Sequence, residues 1–442
     1  MTRQPNRALA ALLAESGWTY GELALAVNDL GAHHGLRLRY DRSSVAHWLK
    51  GSRPKEPVVQ VMAQVFAQRC GRLVTPADLD MATDDSPAPA PGLHAGPREV
   101  LESLVKLCRH QNTGKAPPLT GPSAVERVRD PGWHPRTRTT SPGLSEEPVA
   151  RLHLVSEMSD TLLCRYGSHG RTALERYVAD EAASAQVMRR PRQAAAHLIV
   201  CARLAYTLAA MTADEGRAGL ALRYHRAALL LARLGQDRGL YAITLRAMSA
   251  QALAQGATAR AEELITQALR NSEQAAPAVR AFVLGQQALV LAHSRRQATA
   301  LDTLRAAERA YRLHGDTGAD AFTHYPVAGL HYQRGELLFA LRDNHGAADA
   351  YREALAAQPR TQHLARALTH RRLGSVFHRQ HRWDEATVHW NEFLARYPQV
   401  RSARADRDLA RVVREARTAG GARGVLDRAR ALQRVNSTGR AL

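Results

Sequence analysis

Between residues 37 and 55, six lysines and arginines stand against one acid, Asp41. Arg37, Arg39, Arg42, Lys50, Arg53 and Lys55, together with His47 and the hydroxyls of Ser43 and Ser44, are groups that hydrogen-bond phosphates and base edges. A cation neutralises a phosphate whatever the sequence, whereas a histidine or serine at a base edge adds selectivity. The whole chain is basic, with 61 Lys and Arg against 41 Asp and Glu and a formal net charge of +20. That balance points to a polyanionic partner. All but four of the 61 basic residues (Lys50, Lys55, Lys106 and Lys115) are arginine, a skew that fits GC-rich coding as well as bidentate recognition.

Short helices must position these groups. The composition, 45% hydrophobic but 5% aromatic, suits stacked helices better than a β-sandwich. In "NRALAALLAES" (6–16), Leu9, Leu12 and Leu13 share a face and Gly17 ends the run. Thr19 with Glu22 three residues on makes a capping box. Asp41 or Ser43 caps the next helix, where Val45, Trp48 and Leu49 point inward and Arg42, Ser44, His47 and Lys50 outward. The fourth helix, "PVVQVMAQVFAQRCG" (57–71), turns Val58, Val61, Met62, Val65 and Phe66 inward, and "TPADL" (75–79) reads as a short fifth helix. Residues 83–148 hold 11 of the 20 prolines and read as a linker with one helix, 97–110. Residues 149–442 are alanine-rich and helix-periodic.

That last region repeats. Gly335, Ala347, Tyr351, Ala354 and Pro359 lie at offsets 0, 12, 16, 19 and 24, and Gly374, Ala386, Trp390, Phe393 and Pro398 reproduce them. These offsets match the tetratricopeptide (TPR) pattern. Small residues let two antiparallel helices approach, an aromatic fills the gap to the next hairpin, and proline ends the second helix. Weaker copies run through Ser249, Ala261, Ile265 and Ala268, through Ala288, Ala300, Leu304 and Ala307, and through Leu208, Ala221 and Ala228. The predicted fold is all-α: a helix-turn-helix domain at 1–82 and a TPR-type α-solenoid over 149–442 with C-terminal capping helices.

"SSVAHWLKGSRP" and the apolar helix after it resemble the Cro/repressor-like helix-turn-helix. With "VTPADL" and the TPR region, the layout is similar to actinobacterial transcriptional regulators that modulate development and secondary metabolism. The resemblance implies sequence-specific binding to double-stranded DNA, with Arg42, Ser43, Ser44 and His47 on bases and Lys50, Arg53 and Lys55 on phosphates. Trp48 would be core. The 21 residues from Ala24 to Val45 exceed the usual tight turn. The extra stretch lengthens the second helix or forms a basic loop, where Arg37 and Arg39 could touch the DNA backbone, or it adapts the module to bind protein. Two half-sites imply a homodimer.

In a TPR array the first helix of each repeat lines a concave groove. Alignment of the repeats places Arg246, Gln286, His293, Tyr332, Glu336, Arg371, His378 and Arg379 there, with Arg371 and Arg379 as a carboxylate clamp for a peptide or protein ligand. The arginine-rich tail, 396–440, reads as a cap with a charged outer face. The alternative reading is a non-enzymatic scaffold in which both parts bind proteins.

No metal, cofactor or catalytic site is expected. The histidines lack HExxH spacing, "YGSHGRT" (166–172) lacks the lysine of a phosphate loop, and there is no G-x-S-x-G elbow or dinucleotide fingerprint. Four cysteines without a CxxC pair suit a reducing compartment. With no signal peptide and no run of 18 apolar residues, a cytoplasmic protein without a membrane contact is expected.

Overall fold

The computed structural model describes residues 4–33, 38–55, 58–70, 74, 76, 78–81, 95–111, 147–185, 191–313 and 326–439. Among these residues there are nineteen α-helices and no β-sheet, in keeping with the all-α expectation. Arg37 and most of the proline-rich linker lie outside them.

Four helices make the N-terminal module: α1 (Arg7–Ser16), α2 (Tyr20–His33), α3 (Arg42–Leu49) and α4 (Val58–Cys70). Three of the four starts have a local cause. The Asn6 side chain accepts from Leu9 N–H at 2.8 Å, and Thr19 N–H donates to Glu22 Oε2 at 2.8 Å while Glu22 N–H donates to Thr19 Oγ1 at 3.3 Å. Asp41 rather than Ser43 caps α3, accepting from Ser44 N–H at 2.9 Å. Gly17, at φ +66°, ends α1 in the left-handed region that costs glycine least. Leu9, Leu23, Val45, Met62 and Phe66 form the core, with Trp48 at 4% exposure. Pro76 and Asp78–Asp80 form a turn instead of the expected fifth helix, with Thr75 and Ala77 outside the described residues. The turn is held by Asn6 Nδ2, which donates to Leu79 O at 2.6 Å. The long α2–α3 connection is pinned by Asn28, whose amide donates to Tyr40 O and accepts from Tyr40 N–H at 2.7 and 2.9 Å.

The array begins with α5 (Pro97–Gln111), α6 (Glu147–Tyr166) and α7 (Arg171–Ala185). Five hairpins follow: α8 (Pro191–Asp214) with α9 (Ala218–Leu234), α10 (Arg238–Ala254) with α11 (Thr258–Ser272), α12 (Pro277–His293) with α13 (Gln297–Arg312), α14 (Val327–Ala340) with α15 (Asn344–Ala357), and α16 (His363–Arg379) with α17 (Trp383–Arg396). Two more helices, α18 (Ala403–Ala416) and α19 (Arg423–Gly439), end the chain. The sequence reading placed α5 in a linker. The structure instead packs it against α7 and α9, burying Val100, Leu101, Leu104, Leu107 and Cys108 in the array's first core.

Within each hairpin the turn is the same device. Gly216, Gly256, Arg295, Arg342 and His381 all have φ between 59° and 80°, each five residues before the small residue of the second helix. A carbonyl near the end of each first helix accepts the N–H of the residue just after the left-handed one. These bonds run from Arg217, Ala257, Arg296, Asp343 and Arg382 at 2.9 to 3.1 Å. Tyr351 and Trp390, both fully buried, lie where a Cβ on Gly335 or Gly374 would sit.

The last helices return to the first. Ser168 N–H donates to Arg401 O at 3.0 Å and Arg401 N–H donates to Tyr166 O at 2.9 Å. Ser402 Oγ donates to Asp214 Oδ1 at 2.6 Å, and α6 packs on α16. The superhelix is thus closed on itself. One stretch, Ala195–Asp214 in α8, is long and apolar enough to cross a membrane, but 78% of it is buried in the array, as befits a core helix.

Adding one methyl to Gly374 forces Trp390 aside. Gly374→Ala is expected to lower unfolding free energy by about 1–3 kcal/mol, read as a lower urea midpoint at unchanged slope. Gly21→Ala, in helix α2 with nothing within 4 Å of the added methyl, should instead raise the midpoint, by up to about 1 kcal/mol in unfolding free energy.

Candidate functional site

Two regions gather groups able to bind a ligand. The first is the outer face of α3. Arg39, Arg42, His47, Lys50, Arg53 and Lys55 are all exposed around one short helix. Val45 and Trp48 hold the opposite face in the module core, with Tyr40 edge-on to Trp48 at 5.0 Å. Ser43 and Ser44 do not join the basic set. Both hydroxyls donate to Asp41 Oδ1, at 2.7 and 2.9 Å, so they serve the cap rather than a base edge. These bonds, Ser43 first, hold the Asp41 carboxyl down at about 2. The carboxylate is therefore ionised.

The second region is a cavity of about 1330 Å³ between the N-terminal module and the inner wall of the array. Trp18, Leu30 and Arg69 line it from the module, and Tyr206, His225, Arg246 and Tyr332 line it from the array. At the turn between α10 and α11, Gly256 admits the Gln68 side chain of α4, where any larger residue would collide with it. The C-terminal helix α18 supplies Arg404, Arg407 and Arg411. The spacing follows from its amphipathic pattern: Leu409, Val412, Val413 and Ala416 are buried on one side, which turns the arginines at i, i+3 and i+7 to another.

Of the eight expected groove residues, Arg246 and Tyr332 reach this cavity. Arg246 lies over the Phe282 ring at 3.9 Å, and Tyr332 accepts from Arg404 Nη2 at 2.8 Å. The others are spent elsewhere. Gln286 is buried at 2% exposure. Glu336 pairs with Arg372 at 2.5 Å and accepts from the Tyr351 hydroxyl at 2.7 Å. His293, exposed, bonds Leu289 O of its own helix at 2.9 Å, and His378 meets Thr418 Oγ1 at 2.9 Å.

The arginine clamp does not form. Arg371 is 2% exposed and pairs with Asp408 at 2.9 Å, while Arg379 lies over the Phe339 ring at 3.5 Å and donates to Phe339 O. Helix α16 turns Arg371 inward because α18 brings a carboxylate to meet it, a contact between residues 37 apart that repeat alignment does not show.

The site's acid–base state follows from burial. His225, 3% exposed with Nδ1 lacking a hydrogen-bond partner, is pushed down to about 4 by desolvation and stays neutral. Asp214 is pushed up to about 6 by burial, partly opposed by the Ser402 hydrogen bond and by Arg404 and Arg407. Deeper in the array His370 and His389 share a hydrogen bond between their Nδ1 atoms at 3.1 Å, and burial lowers them to about 3 and about 4. No group of three or more metal-capable side chains occurs among the described residues.

Sequence reading passed over Asp214, His225, Arg404, Arg407 and Arg411. The arginine spacing on α18 was visible, but it was assigned to a solvated outer face because nothing local shows that α18 borders a cavity.

Fold and site together define a helical-repeat protein of TPR type with a small helical module set against its inner wall. Residues 9–82 match the SP15 N-terminal domain family, so the module is similar to that domain. No curated protein matches the chain. Among solved structures, the APC/C hetero-tetramer Cut9–Hcn1 is similar at 16% identity and a TM-score of 0.36, over 91% of this chain and 68% of that one.

His225 sets a pH dependence. Its pKa in the fold is about 4, below the ordinary value of about 6.5. The unfolded chain therefore binds the extra proton first as pH falls, and the contribution is complete above pH 6.5 and lost on the way to pH 4. His225→Gln should flatten the fall in unfolding free energy across that window by on the order of 3 kcal/mol, measured by urea unfolding at half-unit pH steps. An unchanged slope would remove His225 as a contributor.

Proposed function

We propose that this chain is a non-enzymatic binding protein whose repeat array recognises a polypeptide partner. The observation that carries the reading is the array itself: five stacked hairpins that present long, continuous helix faces, the surface helical-repeat proteins use for recognition. Exposed apolar side chains on the hairpins and on the neighbouring α6 supply anchors. Leu154 and Met158, 66% and 56% exposed, sit one turn apart on α6, and Val388 on α17 is 59% exposed.

The test is photo-crosslinking in cells, with benzoylphenylalanine placed at Met158 or Val388 of the full chain. The expected result is a discrete polypeptide adduct from at least one position. Absence of polypeptide adducts at both would sink the reading.

The exposed basic face of α3 favours a second reading, in which the module binds double-stranded DNA and regulates transcription. A homodimer would place two α3 helices on two half-sites, and a peptide or protein bound to the array would act as effector. Selection from random duplexes at about 150 mM salt should then enrich a motif. Arg42→Ala with His47→Ala should weaken binding to that motif about tenfold or more, and Lys50→Ala should reduce the salt slope by about one. Retention of DNA with no motif enriched would leave a nonspecific basic surface.

A further inference from the structure

We propose that the cavity between the module and the array is a binding site for a compact amphipathic anion, an apolar body carrying a carboxylate or phosphate head. This goes beyond polypeptide recognition and does not depend on it. Four observations converge.

The first is charge. Arg404, Arg407 and Arg411 from α18 face Arg246 and Arg69 across the space, against the carboxylates of Asp214 and Asp29. The second is availability. Arg404 already donates to Tyr332, which fixes its guanidinium, but Arg407 and Arg411 have no ion pair or side-chain hydrogen bond among the described residues. The more buried arginines nearby are matched, Arg371 by Asp408 and Arg372 by Glu336, whereas Arg407 is exposed and Arg411 half-buried at the cavity wall. Two unmatched guanidiniums at one wall are poised for a bidentate oxyanion.

The third observation is His225. It is 97% buried, lines the cavity and has an Nδ1 without a hydrogen-bond partner, so a buried polar atom at the wall awaits a hydrogen bond. The fourth is the remaining lining. Trp18 and Leu30 from the module and Leu163 and Leu368 from the array supply an apolar surface, which suits a hydrocarbon or aromatic body. The volume, about 1330 Å³, exceeds the usual small-ligand range of about 300–1,000 Å³ and leaves room for such a molecule with its water. Because walls come from both parts of the chain, the occupied site would also hold the module to the array.

The probe is 1-anilinonaphthalene-8-sulfonate, an aromatic anion whose emission rises in apolar surroundings and is sensitised by nearby tryptophan. Titrated into the full-length protein, it should saturate one site. Trp18→Phe should reduce the tryptophan-sensitised emission of the bound probe. Arg407→Gln with Arg411→Gln should weaken binding by about tenfold or more without moving the thermal unfolding midpoint. If that pair disturbs folding, Arg411→Gln alone serves. Decanoate and decyl phosphate should displace the probe, and the more potent identifies the head group. Decyltrimethylammonium should not displace it. Equal displacement by the cation, undiminished binding by the arginine variants, or no saturable binding would each overturn the inference.

Discussion

Each hairpin of the array rests on how closely its two helices can approach. At Gly335 and Gly374 there is no side chain, and the rings of Tyr351 and Trp390 occupy the space a Cβ would need. At the equivalent place in the α10–α11 hairpin a serine stands instead, and its hydroxyl donates to Ala261 O at 2.8 Å, so a polar bond replaces the aromatic contact. That separation then dictates the turn. One residue must adopt a left-handed backbone, and arginine or histidine does so at three of the five turns at a cost of about 1–2 kcal/mol each. The cost is met because the turn's own hydrogen bonds and the packing on either side permit no other path.

The hairpins were legible in the sequence because their determinants are local. Offsets of 12, 16 and 19 residues bring the same pairs together in any copy, and capping residues such as Thr19 and Asp41 act within a single turn. What was not legible depends on partners far along the chain. The apolar stripe of α5 looks like that of a free linker helix until α7 and α9 are in place to cover it. Arg371 reads as an exposed groove residue until Asp408 arrives. The serines of α3 sit on the outward face by periodicity, yet Asp41 claims their hydroxyls. Periodicity assigns a direction to a side chain but not the identity of what lies in that direction.

Basic charge is distributed unevenly once the pairs are taken out. Many of the array's arginines are matched: Arg171 with Glu175 and Glu215, Arg372 with Glu336, Arg371 with Asp408. Pairs such as these, largely buried, are retained only where each partner is satisfied, since removing one leaves a desolvated charge. Two concentrations of basic side chains are the outer face of α3 and the cavity-lining positions Arg404, Arg407 and Arg411 of α18. The first is exposed on the module's surface, and the second borders the cavity between module and array.

The bond between Ser168 and Arg401 spans 233 residues, and it bears on how this gene could change. Open solenoids gain or lose repeats readily, since each unit answers only to its neighbours. Here one more hairpin of about forty residues would rotate and lift the end of the array away from α6, and one fewer would leave it short. Either change would expose the inner helices and break the main-chain bonds at Tyr166 and Ser168. The number of repeats is therefore fixed by circumference, so duplication, the ordinary route by which repeat families diversify, is closed to this lineage unless the ends are rebuilt at the same time.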